Sequence, residues 1–189
     1  MKALLFPGQG VQKVGMIDFL LETNPETKDL FTQTSDVLDF DLFELVKNGP
    51  ENKLNLTEYA QPAILAASIA IAKNKASYFN ASITAGLSLG EYSALVFAEC
   101  IEFKEAIRLV NARGKLMQNA VPEGTAGMLV VLNMPLPDVR ETIIKIRNSG
   151  EVIDFSTDNA EGVSVLAGSN SAIDATIKYI DEGNFKRVK

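Results

Sequence analysis

The segment Ile83-Thr84-Ala85-Gly86-Leu87-Ser88-Leu89-Gly90-Glu91-Tyr92 constrains the chain more than any other. It reads as a short apolar run, a tight G-x-S-x-G turn and a helix beginning near Ser88. In a nucleophile elbow, glycines flank the serine because the strand-to-helix turn is too sharp and crowded for side chains. The serine oxygen is thereby pushed up above the sheet, and the helix N-terminus beneath it favours developing negative charge. Ser88 and Glu91 also fit the capping box S-x-x-E, so a plain helix cap stays open as the second reading.

A chain of 189 residues makes one domain, or one domain with a small inserted subdomain. A net charge of −6, with no cluster of Lys and Arg to override it, argues against nucleic-acid binding. No apolar run reaches the roughly 18 residues that a membrane span requires. The first residues lead directly into a strand-like segment, and no signal or transit peptide is expected. The single cysteine, Cys100, excludes a disulfide framework and points to a reducing, cytoplasmic setting. There is no histidine. That removes His-based metal sites and also the usual base for a serine nucleophile.

Taken in order, Lys2–Phe6 is a buried strand broken by Pro7-Gly8-Gln9-Gly10. The glycines around Gln9 let the backbone approach something closely and aim the amide, or else they make an ordinary turn. Three short helices follow, the second with Asn24 as N-cap and Pro25 at its first position, the third ending at Gly49-Pro50. Gln61–Lys75 is apolar or small all round and predicts a helix buried on most sides. Phe103–Ala120 predicts another, with an apolar stripe of Phe103, Ala106, Ile107, Val110 and Met117. Arg113 falls on that stripe, where a guanidinium is costly without an anionic partner. Either a structural carboxylate meets it or it awaits an anionic ligand. After Gly127 the pattern is strand (128–132), helix (137–147), strands (152–155 and 163–167), helix (172–181) and a last strand from Phe185. That β-α-β-β-α-β order is ferredoxin-like. There are no repeats or low-complexity segments.

Together, Phe6-Pro7-Gly8-Gln9-Gly10, Gln61-Pro62-Ala63, Gly86–Tyr92 and Ala112-Arg113-Gly114-Lys115-Leu116-Met117-Gln118 resemble the malonyl-CoA:acyl-carrier-protein transacylase family. The match runs from residue 1 to about 170. The resemblance implies an α/β fold: an incomplete α/β-hydrolase-like core over 1–126 and an inserted ferredoxin-like α+β subdomain over 127–189. It also implies ping-pong transfer of malonyl from coenzyme A to the phosphopantetheine thiol of an acyl carrier protein. Ser88 would be the nucleophile, Gln9 and the Leu89 N–H the oxyanion hole, and Arg113 the bidentate partner of the malonyl carboxylate. Gln61 and Met117 would line the substrate site. No cofactor is implied, since the coenzyme A thioester is a substrate.

Two departures stand out. Leu87 occupies a position where the family often has histidine, a change that relatives tolerate. More seriously, the family's histidine base follows the nucleophile late in the chain, and none is present before Lys189. By the resemblance the chain corresponds to the N-terminal two-thirds of such an enzyme, without the final core strands and helices. Residues 1–189 alone are then expected to transfer negligible malonyl and to expose an apolar face. The alternative reading is a truncated, non-catalytic paralogue that binds acyl carrier protein or coenzyme A. An esterase is disfavoured, because most esters offer Arg113 no carboxylate.

Overall fold

The computed structural model describes residues 1–74, 81–122, 124–183 and 186–188. The chain divides into two compact units, Met1–Ala120 and Val121–Lys189. The division falls a few residues ahead of Gly127, where the sequence pattern changes.

In the first unit, β1 (Ala3–Phe6) pairs in parallel with β2 (Ile83–Gly86), Ala3 opposite Ile83 and Phe6 opposite Gly86. Both strands therefore end at one edge, and the segments leaving their C-terminal ends start as neighbours. In open α/β sheets that edge is where ligands bind. Leu4 and Phe6 turn towards the interior, whereas Ala3, Leu5, Ile83 and Ala85 form an exposed apolar face.

Between the strands lie α1 (Asp18–Leu21), α2 (Glu26–Ser35), α3 (Leu42–Asn48), α4 (Glu51–Leu54) and α5 (Thr57–Asn74). Helix α2 opens at Glu26 rather than Pro25, yet Asn24 still caps it by accepting the Glu26 N–H at 3.0 Å. Helix α4 escapes a periodicity argument because it is a single turn. Helix α5 starts four residues ahead of Gln61 and encloses Pro62; Lys75, its expected end, lies outside the described residues. Proline has no N–H to return to the Glu58 carbonyl, which would cost a helix about 3 kcal/mol or more. Asn111 relieves part of that cost by donating its Nδ2 to this carbonyl at 3.0 Å.

After β2 come α6 (Gly90–Phe97) and α7 (Phe103–Gln118). Ile64, Leu65 and Ile69 of α5 join Phe31, Leu42, Ile107 and Val110 in one core. Phe103, Ala106 and Ile107 are buried as the stripe requires. Met117 is 46% exposed, so the stripe leaves the core before its last expected member.

The second unit contains β3 (Ala126–Leu132), α8 (Leu136–Asn148), β4 (Ile153–Ala160), β5 (Val163–Ser169), α9 (Asn170–Glu182) and β6 (Lys186–Val188). The sheet order is β4-β5-β3-β6 with every neighbour antiparallel. Leu129, Val131, Val139, Ile143, Leu166 and Ile173 form its core. Strand β4 runs on past Phe155 through Ser156-Thr157-Asp158-Asn159-Ala160, with two register irregularities against β5. Polar residues do not announce a strand; here the β5 backbone recruits them. Phe185, the expected start of the last strand, lies outside the described residues.

Candidate active site

The elbow is shaped by exclusion. A Cβ on Gly86 would sit 2.0 Å from the Gly90 carbonyl carbon, and one on Gly90 would sit 2.3 Å from the Phe6 carbonyl oxygen. Squeezed between them, Ser88 adopts φ of +53°, a left-handed conformation that a non-glycine residue holds at a cost of about 1–2 kcal/mol. Its side chain is exposed. The capping-box reading fails on geometry: α6 starts at Gly90 with Leu89 in the cap position and no side-chain cap bond. The turn's own bonds run from Gly90 N–H to the Leu87 carbonyl at 2.8 Å and from Glu91 N–H to the Ser88 carbonyl at 3.2 Å. These leave the Leu89 N–H out of the turn's hydrogen bonding, while the Leu89 side chain is fully buried.

Arg113 reaches this elbow from α7. Its Nη2 donates to Ser88 Oγ at 2.9 Å and its Nη1 to Gln61 Oε1 at 2.8 Å, while its Cζ lies 6.0 Å from the Tyr92 ring centroid. Among the described residues no carboxylate is paired with it. Gln61 has no exposed surface and spends its other amide end on Met117 Sδ at 3.3 Å. Gly114 makes this reach feasible. A Cβ there would lie 2.7 Å from the Thr57 carbonyl oxygen, so α7 crosses α5 at a distance only glycine permits.

Gln9 leaves the end of β1 and donates its Nε2 to Thr57 Oγ1 at 3.3 Å. Thr57 in turn donates its N–H to Gln118 Oε1 at 3.0 Å, at the far end of the Arg113 helix. Residues 9, 61, 88, 89, 113 and 117 thus all belong to the first unit. Direct bonds tie Ser88, Arg113, Gln61 and Met117 together, whereas Gln9 joins through Thr57 and Gln118. Thr57, Tyr92, Asn111 and Gln118 were given no role from the sequence, although Tyr92 and Gln118 stand at the ends of the two motifs that carry Ser88 and Arg113.

Chemically, the elbow presents a hydroxyl, a backbone donor beside it that has no acceptor among the described residues, and a cation held by neutral partners. Among the described residues, the bonded partner of Ser88 Oγ is a guanidinium, which cannot accept its proton. No group of His, Cys, Asp and Glu able to hold a metal occurs among them. No helix among them is long and apolar enough to cross a membrane. A cavity of about 350 Å³ in this unit is lined by Thr27, Leu30, Lys73 and their neighbours, and the elbow takes no part in it.

Fold and site together define a mixed α/β protein with a serine elbow at the C-terminal edge of a parallel strand pair. The chain belongs to the acyl transferase domain family, whose profile matches residues 3–189. It is 44% identical over 191 residues to the malonyl CoA-acyl carrier protein transacylase of Haemophilus influenzae, covering 98% of this chain and 60% of the relative. Among solved structures it resembles FabD from Acinetobacter baumannii, with a TM-score of 0.90, 38% identity and coverage of 98% and 60% of the two chains. It also resembles the malonyl-transacylase PlMCAT, solved with the type II PKS acyl-carrier protein AntF, with a TM-score of 0.88, 42% identity and coverage of 97% and 60%. The chain therefore spans about 60% of the length of the relatives it matches.

Proposed function

We propose that the protein transfers a malonyl group from coenzyme A to the phosphopantetheine thiol of an acyl carrier protein, in fatty-acid or polyketide synthesis. The observation that carries this reading is a guanidinium with no carboxylate partner among the described residues, 2.9 Å from the hydroxyl of an elbow serine. Relatives named as malonyl transacylases, one of them solved with its carrier protein, support the choice of substrates. Ser88 Oγ attacks the thioester carbonyl, a C–O bond forms, the C–S bond breaks and coenzyme A leaves as its thiol. The carrier thiol then attacks the ester carbonyl, a C–S bond forms, the C–O bond to Ser88 breaks, and the thiol's proton returns to Ser88 Oγ. A covalent intermediate lets the two thiols use one site in turn. The Leu89 N–H and the Gln9 amide stabilise the oxyanion, and Arg113 exchanges its bond to Ser88 for a bidentate pair with the malonyl carboxylate. Gln61 orients Arg113, and Met117 flanks the acyl group. The reaction needs no resident cofactor.

The finer fold description belongs to the same proposal. The parallel pair and elbow support an α/β-hydrolase-like core over 1–126. The β-α-β-β-α-β order with sheet order β4-β5-β3-β6 supports a ferredoxin-like subdomain over 127–189. A single cysteine fits a cytoplasmic setting.

The competing reading is a protein that binds the carrier or coenzyme A without reacting. Incubating the complete gene product with malonyl-CoA and weighing it intact separates the two. Stoichiometric malonylation that vanishes in Ser88→Ala is the expected result; saturable binding with no mass change establishes the competitor. Arg113→Ala should lose malonyl loading by about a hundredfold, the scale of a desolvated charge-assisted bond, while acetyl loading survives. Equal losses for both acyl groups would remove the carboxylate role.

A further inference from the structure

The turn that carries Gln9 is packed at its Gly8 end, where a Cβ would lie 3.0 Å from the Leu87 carbonyl oxygen, but has little to hold it beyond that point. Gln9 and Gly10 are exposed, and a Cβ on Gly10 would meet nothing within 4 Å. Among the described residues no backbone-to-backbone bond is donated by residues 8–12. Gly10 sits at φ of +113°, a conformation without a packing reason to persist. An oxyanion donor must nonetheless be fixed before the substrate arrives, since its value lies in costing no reorganisation during the reaction.

One side chain supplies the missing constraint at both of its ends. Gln12 Oε1 accepts the Gly10 N–H at 2.8 Å, and Gln12 Nε2 donates to Asn55 Oδ1 at 2.9 Å. The amide orientations are forced in sequence. Gly10 N–H needs an acceptor, so Gln12 must turn its oxygen to it, leaving its nitrogen for Asn55, which must then present its oxygen. Asn55 lies two residues before Thr57, the acceptor for the Gln9 side chain. Both braces of the turn thus end on the short stretch that opens α5.

We propose that Gln12 is a positioning residue for the oxyanion turn: it locks the Gly10 amide, anchors the turn to Asn55, and so holds the Gln9 amide where the acyl oxygen develops charge. This rests on the malonyl-transfer reading above. The role predicts an effect on the transition state alone, hence on kcat and not on KM.

The forced orientations supply the test. In Gln12→Glu the carboxylate still accepts from Gly10, and Asn55 can flip to donate its Nδ2. In Asn55→Asp the carboxylate still accepts from Gln12. In the double variant two carboxylates face one another with no proton between them. Each single change should cost kcat a few-fold at most, and the double about tenfold or more, beyond the product of the singles. Gln12→Met, neutral and of similar length, should match the double variant, which removes added charge as the cause. KM for malonyl-CoA should stay within about twofold throughout. Amide hydrogen exchange at Gly10 should be protected in the wild type and lost in the double variant. A double variant with wild-type kcat, a loss confined to KM, or a wild-type Gly10 amide that exchanges as freely as in the double variant would each overturn the proposal. If the wild-type protein never acylates Ser88, the malonyl reading falls, and Gly10 exchange alone decides whether Gln12 braces the turn.

Discussion

The elbow at 86–90 and the turn at 8–12 leave neighbouring strand ends, yet they are held by opposite means. The elbow is fixed by backbone contacts so close that two positions admit no side chain at all. The turn is fixed by side-chain hydrogen bonds at an exposed surface. Each such bond is worth only about 1 kcal/mol net, whereas overpacking costs about 1–3 kcal/mol and occasionally more. The serine's strained backbone can persist because its surroundings over-determine it. The donor turn rests on polar partners that could each be replaced. The nucleophile's position should therefore be intolerant of volume and indifferent to polarity, and the turn the reverse.

The largest effect expected from this contrast is at Gly86. A Cβ there meets the Gly90 backbone at 2.0 Å, which nothing short of rebuilding the elbow relieves. Gly86→Ala should cost more than about 4 kcal/mol or prevent folding, read from denaturant unfolding. A stable Gly86→Ala would dissolve the contrast. Next comes Gly114→Ala, whose Cβ would press on Thr57 at 2.7 Å where two helices can slide slightly. About 1–3 kcal/mol is expected, together with a weakened malonyl preference as Arg113 moves off Gln61. Gly10→Ala meets no atoms, so only its φ of +113° counts; about 1–2 kcal/mol is expected. The smallest effect belongs to Thr57→Val, which removes the acceptor for Gln9 while keeping the Thr57 N–H. Stability should change by less than about 1 kcal/mol and kcat by a few-fold, with Thr57→Ser restoring both. A Thr57→Val loss as large as that of Gly114→Ala would mean the turn is held far more rigidly than its bonds suggest.

What the amino-acid sequence determined by itself was local in origin. The order apolar run, G-x-S-x-G, helix points to an elbow from the glycine spacing alone, although the capping-box reading of Ser88 and Glu91 stayed open until the backbone at Ser88 and the cap at Leu89 excluded it. The alternation of elements after Gly127 and the buried character of α5 are legible in the same way, from periodicity and residue size. Other features depended on partners far along the chain. Helix α5 begins at Thr57 and tolerates Pro62 because Asn111, 53 residues after Glu58, donates to the stranded carbonyl. Strand β4 continues through polar residues because β5 offers a backbone ladder. Arg113 was recognisable as a cation on an apolar stripe, but nothing in periodicity told that its partners are Gln61 and Ser88 rather than a carboxylate. The Gln12–Asn55 bond, across 43 residues, had no sequence signal. Hydrophobic burial follows repeating patterns that one segment can display alone, whereas a hydrogen bond needs two groups within about 3 Å. That closeness is decided by how α7 crosses α5 and by how β1 and β2 align, which only the assembled tertiary structure specifies.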